Sequence, residues 1–418
     1  MIALLLGAAA AAPPADDDEA LRKRVDRILA KTPLVDGHND VPWQYRDRAG
    51  LQVDTLDLRD TSQLEPPMHT DLRRLEVGKA GAVFWSVWVP VALPGPEALL
   101  TCLEQIDVVH QMVGRYPEAL ALALTADDVV RIHKDGRIAS LVGIEGGHSI
   151  GDSLGALRMM YAAGARYMTL THWKNTAWAD AATDAPEHGG LTPFGEAVVH
   201  EMNRLGMLVD LSHVSAATME DALRVAKAPV IFSHSGAFAV NPHPRNVPDP
   251  VLDHVKANGG VVMVDYLPAY VSAEVRAAGA ERKAEEARQE SLSIGDPDGL
   301  AAAMKAWDLA HPKPKATLAQ VADHLDHVRG RIGAEHCGLG SDFDGMGEGP
   351  VGLEDVSKVP DLLVELLRRG WTDAEVAGVA GGNVLRALRA AEEVSRSMAG
   401  EAPSNVRITP ALPELAGD

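Results

Sequence analysis

The sequence predicts an α/β protein built as a (β/α)8 TIM barrel, and three observations lead there. Apolar, β-rich runs alternate along the chain with helical patterns, the rhythm of a parallel sheet covered by helices. There are eight such runs, enough for closure into a barrel. Most of them end in an acid or a histidine, and loading strand ends on one side is how a parallel barrel assembles a site.

The elements follow in order. Residues 1–15 open with Met1-Ile2-Ala3-Leu4-Leu5-Leu6 and an alanine run before Pro13 and Pro14. An apolar stretch followed by small residues reads as a secretory leader, so export is expected, with a cytoplasmic place if the leader does not function. Residues 16–398 then form one barrel domain. Positions 16–32 read as an amphipathic helix. Strands are expected at 34–38, 82–89, 138–144, 167–171, 207–211, 230–233, 260–265 and 337–341, and helices at 96–116, 154–163, 194–205, 216–226 and 318–328. The charged and then alanine-rich segment 272–314 breaks the rhythm. It reads as a helical insertion between the seventh and eighth strands, either a lid on the active face or a solvated excursion. Positions 372–397 continue as one exterior helix, and 399–418 form a polar tail without the hydrophobic end that a lipid-anchor signal needs.

Bulk composition removes several function classes. The chain of 418 residues is 46% hydrophobic and 23% charged, so it has material for a full core. Its formal net charge of −20 repels phosphate backbones and anionic lipid, so no nucleic-acid partner is expected. No run of about 20 apolar residues occurs, so no membrane span is expected. Two cysteines, Cys102 and Cys337, form no CxxC pair, which excludes a thiolate zinc site. Cys337, inside a strand, reads as a buried thiol.

The chemistry sits at the strand ends. In extended chain, residues i and i+2 face the same way, so His38 and Asp40 can address one ion. Glu145 ends the third run. A carboxylate there is costly to bury unless it is paired or metal-bound, and its two oxygens suit a bridge. His213 and His234 end successive runs, and neutral imidazole is a normal zinc ligand. His172 reads either as a ligand or as a donor to an oxyanion. Asp342 reads as a proton shuttle, with Asp344 as a competitor. Arg245 can fork onto a substrate carboxylate, or make a surface salt bridge. Histidines and carboxylates in this number are the types that hold a pair of divalent metals, which points to a metal-dependent hydrolase.

These motifs also carry a resemblance. Val35-Asp36-Gly37-His38-Asn39-Asp40, Gly143-Ile144-Glu145-Gly146-Gly147-His148, Asp210-Leu211-Ser212-His213, Phe232-Ser233-His234-Ser235, Arg245-Asn246-Val247-Pro248-Asp249 and Gly340-Ser341-Asp342-Phe343-Asp344-Gly345 occur in order. Together they resemble the membrane (renal) dipeptidases, peptidase family M19 of the amidohydrolase superfamily. The resemblance implies two Zn2+ per chain and hydrolysis of dipeptides, including those with a C-terminal D-residue, through a hydroxide shared by the metals. By that analogy His38 and Asp40 bind one zinc, His213 and His234 the other, and Glu145 bridges them. His172 contacts the scissile carbonyl, Arg245 holds the terminal carboxylate, and Asp342 is the catalytic acid/base. A homodimer is the family's implied assembly. No disulfide carries over, because Lys174 stands where mammalian members have a cysteine.

Two rival enzymes remain at this level. Gly147-His148-Ser149-Ile150-Gly151 fits the G-x-S-x-G of a serine hydrolase. A lactonase or deaminase of the same superfamily is the nearer alternative, since one barrel supports many reactions.

Overall fold

The computed structural model describes residues 18–408. Nine strands, all parallel, form one sheet: β1 (Leu34–Asn39), β2 (Ala80–Trp88), β3 (Leu120–Leu122), β4 (Ile138–Glu145), β5 (Ala165–Thr169), β6 (Leu208–Asp210), β7 (Ile231–Phe232), β8 (Val261–Val264) and β9 (Cys337–Leu339). Eight of them run β1-β2-β4-β5-β6-β7-β8-β9, and β3 pairs with β4 off this path. The ends of β9 and β1 are brought together just beyond the ladders. Asp342 N donates to His38 O (3.1 Å) and Asp40 N to Phe343 O (2.9 Å). The Ser341 hydroxyl adds a bond to Asp36 Oδ2 (2.6 Å). The expected TIM barrel is therefore present and nearly closed.

The interior explains part of the sequence. Gly143 in β4 lies opposite Tyr167 in β5. A Cβ on Gly143 would sit 2.1 Å from the Tyr167 ring, so only glycine lets that ring cross the barrel interior. Tyr167 packs with Phe84, Met263 and Leu388 in a buried cluster. Leu388 belongs to the helix Asn383–Ser397, whose Arg386 bonds the carbonyls of Gly259 and Glu335, just before β8 and β9. That helix thus sits at the N-terminal end of the barrel and leaves the C-terminal end to the site.

Several expectations need correction. The strand Leu120–Leu122 and the helix Ala126–Lys134, which starts with a Thr125/Asp128 capping box, were not foreseen. Positions 372–397 are not one helix. The helix Asp373–Ala377 passes through Gly378–Gly382 into Asn383–Ser397. At Gly381 the backbone presses on Pro33, whose carbonyl oxygen would lie 2.2 Å from a Cβ there. Positions 16 and 17 of the first helix, the leader, and the tail from 409 lie outside the described residues. The tail before that packs down: Arg158 donates to Ser404 O, and Arg407 bridges to Ser153. Segment 272–314 contains the helices Ala273–Leu292 and Pro297–Ala310, joined by an Arg282–Asp308 ion pair (2.9 Å). Cys102 and Cys337 are both buried and free. No helix among the described residues is long and apolar enough to cross a membrane.

Candidate active site

Glu145, at the C-terminal end of β4, is the centre of the site. Its Oε2 lies 3.4 Å from His38 Nε2, and its Oε1 lies 3.4, 3.0 and 3.4 Å from the Nε2 atoms of His172, His213 and His234. One carboxylate oxygen therefore faces the β1 side and the other faces β5, β6 and β7. Asp40 Oδ2 is 3.5 Å from His38 Nε2. Asp342 completes a group with His38 and Asp40 whose ligand atoms lie within 4.8 Å of one another. All of these side chains are buried.

The rings are aimed by hydroxyl groups. Tyr167 OH donates to Gly37 O (3.2 Å), so it accepts the Nδ1–H of His38 (2.9 Å). Ser233 Oγ donates to Asp210 Oδ2 (2.6 Å), so it accepts the Nδ1–H of His234 (2.8 Å). Each pairing places a proton on Nδ1 and turns Nε2 toward Glu145, the orientation that outer hydrogen bonds impose on metal-binding histidines. His38 Nε2 is buried with no hydrogen-bond partner. The Nε2 atoms of His213 and His234 face each other at 3.0 Å. Two zinc–nitrogen bonds at a tetrahedral angle would separate them by about 3.4 Å. The donor set fits a pair of divalent cations.

Electrostatics agree. Burial, reinforced by the charges of Arg245 and His172, pushes His213 well below the ordinary imidazole value. Burial and the neighbouring His38 charge do the same to His234. Both rings therefore keep their lone pairs at neutral pH. Burial opposes charge on Glu145, but His38 and His172 outweigh it and hold the carboxyl well below its usual range. Burial likewise opposes charge on His38. Tyr167, Glu145 and Asp40 outweigh that and raise it well above normal, so the carboxylates demand positive charge at this spot. Asp342 is raised well above the carboxylate range by burial and by the charges of Asp265 and Asp40.

The cluster opens into a cavity of about 380 Å³ lined by Asp40, Glu145, His172, His213, Arg245 and Asp342, with Trp43, Trp88, Trp173 and Tyr270. Arg245 is fully buried, not at the surface. It spends two N–H groups on Ser235 Oγ (3.3 Å) and His234 O (3.1 Å), and its Nε has no partner. Among the described residues no carboxylate lies within ion-pair distance of it. The structure thus brings Asp40, Glu145, His172, His213, Arg245 and Asp342 to one cavity, with His38 and His234 against Glu145 behind its wall.

Other expectations fall away. Asp344 lines the cavity and has one oxygen, Oδ1, accepting from His69 N (2.7 Å) and the other without a partner, but it lies outside the central group that holds Asp342. The serine-hydrolase reading fails, because Ser149 is fully buried in the short helix Gly147–Ile150 and its Oγ meets no histidine. Of the two readings of segment 272–314, the cavity lining favours the solvated excursion. No residue of Ala273–Leu292 or Pro297–Ala310 lines the cavity, whereas Tyr270, just before them, does. Sequence reasoning passed over Asp265, which ends the seventh run as the other acids end theirs, and which burial pushes up to about 6 against the charge of Arg245. It also missed Tyr167 and Trp88, whose partners lie far away in the chain.

Comparison with known proteins gives the family. Residues 22–402 match the family model described as membrane dipeptidase (peptidase family M19). The chain is 43% identical over 383 residues to the dipeptidase verJ of Clonostachys rogersoniana, covering 89% of this chain and 87% of that one. It is similar in structure to the probable dipeptidase PvdM of Pseudomonas aeruginosa, with TM-score 0.77 and 25% identity over 90% of this chain and 99% of that one. A second solved structure, the metallopeptidase dipeptidase AC, matches with TM-score 0.69 and 25% identity over 86% and 99%. A nearly closed parallel barrel, a carboxylate flanked by histidines at its C-terminal mouth, and this match along most of its length make the chain a member of the membrane dipeptidase family, peptidase family M19.

Proposed function

We propose that the protein is a binuclear zinc dipeptidase. His38 and Asp40 would hold one ion, His213 and His234 the other, and Glu145, which faces both groups, would be shared between them. The bound ions supply Lewis-acid charge and lower the pKa of the attacking water. His172 donates its Nε2–H to the carbonyl oxygen as negative charge develops there. Asp342, whose environment lets it hold a proton, takes one from the water and passes it to the departing amine.

The observation that carries the substrate class is Arg245, a fully buried cation with unused donors and no carboxylate partner, in the wall of the same cavity. A terminal carboxylate satisfies it. In the strand order β7 and β2 stand four places apart among eight, on opposite sides of the barrel. Arg245 follows β7 and Trp88 ends β2, so a substrate anchored on Arg245 lies across Glu145 with its amino-terminal residue toward Trp43 and Trp88. A cavity of about 380 Å³ is near the small end of ligand sites, which favours two residues over longer peptides.

The test is metal analysis with turnover of Gly-D-Ala, L-Ala-D-Ala, a tripeptide and capped dipeptides. Two zinc ions per chain, dipeptide cleavage and weak cleavage of the rest are expected. Full activity after exhaustive dialysis against EDTA, or equal turnover of tripeptides, would overturn the proposal. Assembly as a homodimer and export through residues 1–15 are further proposals, checked by sedimentation and by N-terminal sequencing of exported protein.

A further inference from the structure

The structure assigns Trp88 as the residue that fixes the tautomer of His172 and so keeps it a proton donor rather than a metal ligand. Trp88 is the last residue of β2 and pairs in register with Glu145, the last of β4. Glu145 pairs in turn with Thr169 of β5, three residues before His172. That register brings the indole level with the imidazole. Trp88 Nε1 donates to His172 Nδ1 at 3.3 Å. The indole N–H is a donor only, so His172 Nδ1 must offer its lone pair. In the neutral ring the proton then sits on Nε2, which faces the acceptor Glu145 Oε1 at 3.4 Å.

This is the reverse of His38 and His234. There, hydroxyl oxygens accept from Nδ1–H and leave Nε2 bare. The four rings meet the same carboxylate through the same atom, and of the three whose Nδ1 is bonded, two have a hydroxyl behind them and His172 an indole, while His213 Nδ1 has no partner. At His38 and His234 the hydroxyl takes the Nδ1 proton; at His172 the indole gives one to Nδ1. Trp88 is itself held by the edge of Trp43, with ring centroids 4.4 Å apart at 81°. Trp173 covers His172, with centroids 4.7 Å apart at 33°, and itself meets Trp88 at 6.4 Å, so both indoles contact the imidazole. Trp88 is a positioning residue: it acts on the reaction through His172.

The inference rests on reading His172 as the carbonyl donor, and the experiment separates the two. Holoenzyme carrying 15N-labelled histidine is measured by long-range 15N–1H correlation, with His172→Gln used to assign the signal. The expected wild-type spectrum has His172 protonated on Nε2 and bare on Nδ1. Trp88→Phe keeps an aromatic ring and removes the N–H. It is expected to mix or invert the tautomers. It should also lower kcat about ten- to a hundredfold, less than the full loss of an oxyanion donor, a larger change than any in KM from the altered cavity wall, with zinc content unchanged. A wild-type signal with the proton on Nδ1 overturns the inference, and needs no variant to fold. So does a Trp88→Phe enzyme with unaltered His172 signals, or one whose loss lies in KM alone. If the wild-type spectrum is as expected but His172→Gln cleaves dipeptides at full rate, the tautomer stands and the catalytic reading of His172 fails.

Discussion

Replacing Arg245 by methionine removes the cation and keeps a flexible apolar side chain of comparable reach. A guanidinium has five N–H donors. Two serve Ser235 and His234, which leaves three, among them the unpartnered Nε–H. A carboxylate docking in fork geometry takes two, each a charge-assisted bond of about 1.5–3 kcal/mol. Truncating one partner of a buried pair of this kind costs about 2–5 kcal/mol. At 1.4 kcal/mol per factor of ten, kcat/KM for a free dipeptide should fall about 30- to 4000-fold. The contact is made equally in the ground and transition states, so most of the loss belongs in KM. The assay compares Gly-D-Ala with its C-terminal amide. Wild type should prefer the acid by a factor in that range, and Arg245→Met should lose the preference. The buried Asp265 loses the charge that holds its carboxyl down, and Ser235 Oγ and His234 O lose donors, so the variant should also melt lower; the acid-over-amide preference, measured on folded protein, is the readout. A variant that still prefers the free carboxylate, at normal metal content, would refute the assignment.

Three further outcomes are expected. Tyr167→Phe removes the hydroxyl that fixes the His38 tautomer; zinc affinity, read by competition with a chelator, should fall about 10- to 100-fold, and an unchanged affinity would contradict the aiming role. Glu145→Gln removes the charge that four imidazoles face at 3.0–3.4 Å; zinc per chain and turnover should fall together, and retention of both ions would exclude the bridge. Asp265→Asn tests linkage in metal-free protein. The folded carboxyl is raised to about 6, first by burial, against an unfolded value near 3.8. Its contribution to stability is thus full below about 3.8 and lost as pH rises through about 6. The amide should therefore melt higher than wild type at pH 8 and alike near pH 4, and a gain confined to acid would reverse the argument.

The barrel and the proposed ligands were legible because both follow from local pattern. Apolar runs ending in His38, Glu145, His213 and His234 are visible without any partner, and so was Asp265, had the same rule been carried to the seventh run. What was hidden depends on distance. Leu120–Leu122 is too short to show a period. The break at Gly381 arises from contact with Pro33, more than three hundred residues away. Ring aiming was the least visible, since Tyr167 meets His38 across 129 residues and Trp88 meets His172 across 84. Sequence shows which rings are available; tertiary contacts decide which nitrogen carries the proton.

Strand alternation also has a limit that the backbone makes plain. It accounts for His38 and Asp40, two residues apart at the end of β1 and 3.5 Å apart at their tips. It does not account for His213 or Asp342. These have φ of 68° and 59°, in the left-handed region that non-glycine residues seldom enter. Each such residue costs of the order of 1–3 kcal/mol and persists only where its surroundings insist. Here they do: Ala182 N and Thr171 Oγ1 both donate to His213 O, while Asp342 donates through its N to His38 O and accepts Gly345 N at its own O. The left-handed residue ends the strand by turning the chain, so its side chain need not follow the inward–outward pleat of the residues before it. Two of the proposed functional groups therefore reach the centre through backbone strain held by neighbouring loops. Substitutions in those loops, at Thr171 or Ala182, are a route to altered activity that leaves every proposed ligand in place.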